Sequence, residues 1–356
     1  MRFPEFSGEW KKSILKAECE INPKTGPLAD TFQYIDLESV VKGQLIKVNY
    51  LKKEDAPSRA QRVLSKWDIL YQCVRPYQLN NFLVRDNSST QRVASTGYAQ
   101  IRTNNNPDFF FQLLHTQKFT GRVINRCTGT NYPAINSTDL SEIEINIPEI
   151  KEQEKIGRML SLIDQRIAIQ NRLIEQYESL IKAIAFEIIG RNRSNTTLSD
   201  CVFCSSSTLK ESELINTGIP TYGAAGISGY TAEALCKSDS ILITKDGSGV
   251  GSKRYVHGEH SFVGTLCSLT PKDGIYLPYV YYALMIMNLD TYKTGQAIPH
   301  IYFKDYGKLQ LFCPTYSEQR RLSHGLETLD RKVGYEESLL LSINEVKKGL
   351  LDQLFI

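Results

Sequence analysis

The chain repeats itself. With one constant offset of 166 and no gaps, residues 129–190 align with 295–356. Gly129, Pro133, Ile135, Asp139, Pro148, Glu152, Gln153, Leu160, Asp164, Leu173 and Lys182 recur as Gly295, Pro299, Ile301, Asp305, Pro314, Glu318, Gln319, Leu326, Asp330, Leu339 and Lys348. So long a period excludes a solenoid and requires two copies of one unit, each a globular head followed by a shared tail. The heads match only loosely. Ser13-Ile14-Leu15 and Thr197-Leu198-Ser199 read as their openings at an offset of 184, and Trp67-Asp68-Ile69-Leu70 and Asp239-Ser240-Ile241-Leu242 take comparable places. One frame with two diverged heads reads as one scaffold carrying two specificities.

The tails read as long helices. In the first, Leu160, Ile167, Ile174, Ile181 and Ile188 take position a, and Ile156, Ile163, Gln170, Tyr177 and Ile184 take position d. The second repeats the seam with Leu326, Val333, Leu340, Lys347 and Leu354, and with Leu322, Leu329, Glu336, Ile343 and Leu350. An apolar stripe sustained over about five heptads predicts a helix that pairs along its length. Each tail follows a proline, Pro148 or Pro314, and carries Glu-Gln in its first turn, as helix starts do. Roughly 38 residues at ~1.5 Å each make a rod of about 57 Å. Gln170 and Glu336 share one repeat position, so antiparallel packing of the two helices would bring them face to face and satisfy two otherwise costly polar groups. The organisation read from this pattern is a first head over 1–148, a helix over 149–190, a linker over 191–197, a second head over 198–313 and a second helix over 314–356. The heads read as mixed α/β, of the α+β kind, because short β-rich stretches such as Ser240 to Thr244 and Glu142 to Ile147 alternate with Gly, Asn and Pro turns and short helical patches.

Charge is unevenly spread. The net charge is +3, yet residues 49–126 hold 12 Lys and Arg against 5 Asp and Glu. A basic head beside two balanced helices suggests a polyanionic partner. With 41% hydrophobic and 23% charged residues, wholesale disorder is excluded. The longest nearly apolar run, Leu277 to Leu289, is too short for a membrane span, and Met1-Arg2-Phe3-Pro4 opens no signal peptide. Eight cysteines without framework spacing read as reduced thiols, so a soluble cytoplasmic protein is expected.

No catalytic constellation stands out. Asp246-Gly247-Ser248-Gly249-Val250-Gly251-Ser252-Lys253 is glycine-rich but lacks the Gly-Lys-Ser/Thr ending of a nucleotide loop, and Arg254-Tyr255-Val256 continues as a strand, so it reads as a hairpin. Cys201-Val202-Phe203-Cys204 has no second pair at metal spacing, and His257-Gly258-Glu259-His260 is one short pair on a turn; no metal site is expected. Asn131-Tyr132-Pro133 superficially resembles an adenine-methyltransferase motif, but the repeat turns it into Ala297-Ile298-Pro299, which makes Gly-x-x-x-Pro-x-Ile an architectural joint. The heads instead carry residues that read base edges and grip phosphates. The candidates are Arg75, Tyr77, Asn80, Asn81, Arg92, Ser95, Thr96, Arg102 and Asn104 in the first head. In the second they are Lys245, Ser248, Lys253, Arg254, Lys293, Gln296, His300, Tyr302 and Lys304.

On these features the chain resembles the specificity (S) subunits of type I DNA restriction-modification systems. The resemblance runs the whole length and is carried by three elements. These are the joint Gly295-Gln296-Ala297-Ile298-Pro299-His300-Ile301, the helix starts Pro148 to Ile156 and Pro314 to Leu322, and the segment Ile219 to Gly226. In the first joint Thr130-Asn131-Tyr132 departs from the usual Gln-containing form. The resemblance implies that each head is a target recognition domain reading half of a bipartite double-stranded DNA sequence. It implies that the helices form an antiparallel coiled coil that sets the distance between half-sites and docks two modification subunits, to which ATP-driven restriction subunits are added. The chain itself would be non-catalytic and bind no cofactor, with S-adenosylmethionine and ATP with magnesium on its partners. Two other readings stand beside this one. A methyltransferase or nuclease with a fused recognition domain lacks its cofactor loop here, and a two-headed protein-binding scaffold on a coiled-coil strut is disfavoured by the basic surplus.

Overall fold

The computed structural model describes residues 2–247, 249–295 and 298–355. The chain divides into two compact units, Met1–Asn171 with Leu339–Ile356, and Arg172–Ser338. The boundary falls inside the long helices, so each unit is a head together with a length of both tails, whereas the sequence pattern separates heads from helices at 148 and 313.

The first unit opens with strand Lys11–Ile14, which pairs antiparallel with Glu144–Ile147 and so closes the head at the start of its tail. Between them lie two four-stranded sheets. One runs Cys19–Ile21, Tyr98–Thr103, Ile69–Gln72, Phe82–Leu83, all antiparallel. The other runs Asn49–Lys52, Thr31–Ile35, Arg92–Ser95, Ala60–Val63 and contains one parallel pair. Helix Pro107–Leu113 starts as its sequence dictates, with proline in the first turn and the Asn106 side chain accepting from the Phe109 amide at 2.9 Å. Its Phe109 and Phe110 fill a core shared with Ile69, Tyr71, Ile101 and Ile145.

The second unit repeats this order with unrelated residues. Its four-stranded antiparallel sheet runs Val202–Ser206, Leu266–Pro271, Ser240–Thr244, Lys253–Val256. Its other sheet runs Gly226–Thr231, Ile219–Gly223, Ser261–Phe262, again with one parallel pair, and ends a strand earlier than its counterpart. Strands Ser240–Thr244 and Lys253–Val256, which flank the glycine-rich stretch, pair antiparallel, as a hairpin requires. The two heads are therefore one fold. Ile14 faces Glu144 and Thr197 faces Gln310, the same repeat position, so the openings align at an offset of 183, one residue from the 184 suggested by Ser13 and Thr197.

The tails form helices Ile150–Ala185, closed by a π-turn over Phe186–Gly190, and Tyr316–Leu354. Every one of Ile156, Leu160, Ile163, Ile167, Gln170, Ile174, Tyr177, Ile181, Leu322, Leu326, Leu329, Val333, Glu336, Leu340 and Ile343 is buried or half-buried. In the first unit Ile156 and Leu160 join a cluster with Leu350, Leu351, Leu354 and Phe355. Further along, Lys347 Nζ lies 2.5 Å from Asp164 Oδ1. One number rises as the other falls, so the paired segments run antiparallel there. Lys347, polar at a seam position, is satisfied by Asp164, whose other oxygen accepts from Gln112 of the head at 2.6 Å. Gln170 and Glu336 are both buried, and Glu336 is 2.5 Å from Lys332 one turn earlier. Among the described residues no helix is long and apolar enough to cross a membrane.

Candidate nucleic-acid interface

The joints are built alike. Gly129 and Gly295 have φ of +92° and +88°, and a Cβ on either would come within 3.0 and 2.5 Å of the carbonyl oxygens of Tyr132 and Ile298. Only glycine takes that turn without strain. Thr128 and Ala134 exchange two backbone hydrogen bonds of 2.9 Å, and Thr294 and His300 exchange bonds of 2.9 and 2.8 Å. Each joint is then fastened to the segment that follows an inner strand of its antiparallel sheet, Ile69–Gln72 or Ser240–Thr244. In the first head Arg75 N donates to Pro133 O at 2.8 Å and Ile135 N to Cys73 O at 3.0 Å. In the second Gly247 N donates to Pro299 O at 3.0 Å and Ile301 N to Lys245 O at 2.9 Å. Matching backbone hydrogen bonds thus hold different side chains.

In the first head Arg75 stacks on Tyr132, guanidinium carbon to ring centroid 4.3 Å. Tyr132 and the nearby Tyr77 are 64% and 52% exposed. Arg75 and Leu79 both have φ of +54°, bracketing the 3-10 turn Pro76–Gln78. Two non-glycine residues in the left-handed region are a local cost of the kind found where a loop is shaped for a task. In the second head the same place holds His300 Nδ1 3.0 Å from Asp246 Oδ1, with Lys245 Nζ 3.5 Å from Asp246 Oδ2. Ile298, at the position of Tyr132, is 59% exposed. Tyr302 is exposed with Lys304 Nζ 5.4 Å above its ring.

Several candidates are employed elsewhere. Asn81 is fully buried, its Oδ1 accepting from Gln72 N at 2.8 Å, and buried Ser95 accepts from Gly97 N at 3.2 Å; neither faces solvent. Asn80 Oδ1 accepts from Lys42 N. Arg92 forks onto Asp86 at 2.7 and 3.0 Å and donates to Gln33. Arg102 forks onto fully buried Asp68 at 2.7 and 2.8 Å. Lys253 Nζ donates to Met287 O at 2.7 Å, and burial pulls its pKa down to about 8. Arg254 lies over Tyr222 at 5.7 Å, and Lys293 pairs with Asp290 at 2.6 Å. Thr96 is half-buried and Asn104 exposed, while Ser248 and Gln296 lie outside the described residues. No cluster of three metal-ligating side chains occurs among the described residues. His257 is exposed on Asp239, whereas His260 is buried on Ser240. Tyr132 was not singled out from the sequence as a contact residue. Its signal is there, as a bulky side chain before the joint proline that the repeat answers with Ile298.

Beneath the first interface His115 is held between Phe111 O, 2.6 Å from Nδ1, and the Asn81 amide, 3.3 Å from Nε2. Burial, with Lys347 adding to it, lowers its pKa to about 4. The unfolded chain takes up a proton near pH 6.5 that the folded one refuses. Stability of this unit is therefore expected to fall as pH drops from about 6.5 towards 4, by up to roughly 2–3 kcal/mol, and to level off below. Denaturation midpoints of wild type and His115→Gln across that range check it; parallel slopes would refute the assignment.

Residues 41–179 and 196–345 match the family described as the type I restriction modification DNA specificity domain. The chain belongs to this family. A protein of Mycoplasma genitalium named as a candidate type I specificity subunit is 28% identical over 64% of the chain and 65% of its own length. The type I restriction enzyme HindI specificity subunit of Haemophilus influenzae is 26% identical over 42% of the chain and 34% of its own length. The alignments thus span less than two thirds of these relatives. The fold is shared with the crystal structure of a type I restriction-modification system S subunit from M. genitalium, at a TM-score of 0.63 and 19% identity, covering 100% of this chain and 99% of that one. For a specificity-domain protein the matching joints acquire a meaning, since each family segment contains one of them.

Proposed function

We propose that this chain is the DNA-sequence-specificity subunit of a type I restriction-modification complex. Each head reads one half of a bipartite duplex target, and the paired helices form an antiparallel coiled coil that spaces the heads and docks two modification subunits. Restriction subunits join that core in the cytoplasm. Catalysis, with S-adenosylmethionine and with ATP and magnesium, belongs to the partners. The observation that carries this reading is that two heads of one fold present different side chains, Arg75 with Tyr132 and Asp246 with His300 and Ile298, from the same joint. Arginine forks onto guanine edges, and exposed aromatics stack on bases.

The test is adenine-methylation mapping of genomic DNA from cells expressing the chain with its cognate modification subunit. A bipartite motif with a fixed gap is expected. Arg75→Ala should relax one half-site by about 10–100-fold, the 1–3 kcal/mol of a lost fork contact, and leave the other half unchanged. Equal loss in both halves would refute the division of labour. No methylated motif from an assembled complex, with duplex affinity indifferent to salt, would favour a protein-binding scaffold, because phosphate contacts weaken steeply with salt.

A further inference from the structure

The glutamine in the first turn of each long helix makes one and the same connection. Gln153 is 2% exposed and Gln319 1%. Gln153 Nε2 donates to Pro148 O at 2.9 Å, and Gln319 Nε2 donates to Pro314 O at 2.9 Å. The Oε1 of Gln153 accepts from Asn106 N at 3.3 Å, and that of Gln319 accepts from Tyr276 N at 2.8 Å. Asn106 and Tyr276 are the residues immediately before the head helices Pro107–Leu113 and Leu277–Met285. One buried amide therefore holds three things together in each unit: the long helix, the proline link that leads into it, and the start of the head's own helix. The amide does both at once, its NH2 donating to the carbonyl and its oxygen accepting from the N–H.

The contact one turn on leaves little freedom. A Cβ on Gly157 would lie 2.6 Å from Asn106 Oδ1 and 2.8 Å from Phe109 N, so the head helix is pressed onto the long helix there. At the matching position buried Ser323 turns its hydroxyl back to Gln319 O at 2.8 Å. The two head openings, the joints' side chains and the neighbours of Glu152 and Glu318 all differ between units, yet this amide geometry is kept.

We infer that Gln153 and Gln319 are positioning residues that set the angle of each head on its helix, and through it the gap at which the two half-sites are read. The inference rests on the function proposed above. A reading loop about one head radius from the attachment lies roughly 20 Å away. A tilt of about 10° then moves a reading loop by about 3.4 Å, one base-pair step. Loosening the amide should therefore blur the gap and leave the recognised bases alone.

The experiment uses the complete methyltransferase complex and a set of duplexes carrying the native half-sites with the gap varied by one and two base pairs. Gln153→Glu replaces the donor by a carboxylate facing a carbonyl, and Gln153→Met keeps the volume without either hydrogen bond. Gln319→Met repeats the test in the second unit. Each variant is expected to lower the preference for the native gap over its neighbours by about tenfold, with single-base preferences within each half-site unchanged. Folded variants that keep wild-type gap preference, or that lose methylation equally at every gap, overturn the inference while the bipartite motif stands. Absence of any bipartite motif with wild type would instead remove the proposed function. Should Gln153→Glu fail to fold, the two Met variants carry the same measurement.

Discussion

Arg102→Ala is expected to destabilise the first unit by about 3 kcal/mol or more and to leave base choice untouched in whatever protein stays folded. Asp68 is wholly buried, and its carboxylate accepts from Arg102 Nε and Nη2, from Gln100 Nε2 at 2.7 Å and from Ser65 N at 2.7 Å. Removing the guanidinium leaves a carboxylate that water cannot reach and two neutral donors cannot fully compensate. Arg102 itself is 36% exposed, which places the cost at the lower end of the buried-pair range. The two units need not unfold together, so the measurement is amide exchange in Ile69–Gln72 and Tyr98–Thr103, the strands that bracket the pair. Adding Asp68→Asn should recover part of the loss, because a neutral amide can remain buried. Unchanged exchange together with a relaxed half-site would return Arg102 to the DNA surface.

Inserting seven residues into both long helices is expected to abolish methylation at the native gap, by at least about 100-fold. The insertions belong between Asn171 and Arg172 and between Ser338 and Leu339, where both helices pass from one unit to the other. Seven residues keep the a and d seam in phase, so Ile156, Leu160 and their partners retain their faces. They add about 10.5 Å, or roughly three base-pair steps of 3.4 Å. Keeping the old gap would require DNA to bend or overtwist at a cost of several kcal/mol. Residual methylation should move to a longer gap with both half-sites unchanged. An assembled complex that still methylates the original gap at the wild-type rate would end the idea that the helices measure distance.

What the sequence by itself determined is the part that is periodic and local. The repeat, the helices begun after Pro148 and Pro314, and the seam that became buried or half-buried at all its named positions follow from heptad spacing, which needs no knowledge of distant contacts. The glycines of the joints were legible for a similar reason, since a φ near +90° excludes almost every other residue. The tertiary structure alone decided that the heads share one sheet order, because strand pairing joins residues far apart and tolerates any apolar side chain on its inner face. It also decided which cations are free. In the sequence Arg75, Arg92, Arg102 and Lys253 are equally basic. Only the fold brings Asp86 to Arg92, Asp68 across 34 residues to Arg102 and the Met287 carbonyl to Lys253, and leaves Arg75 lying on an exposed tyrosine. Charge is a property of a residue, but its availability depends on what the folded chain places within about 3 Å of it.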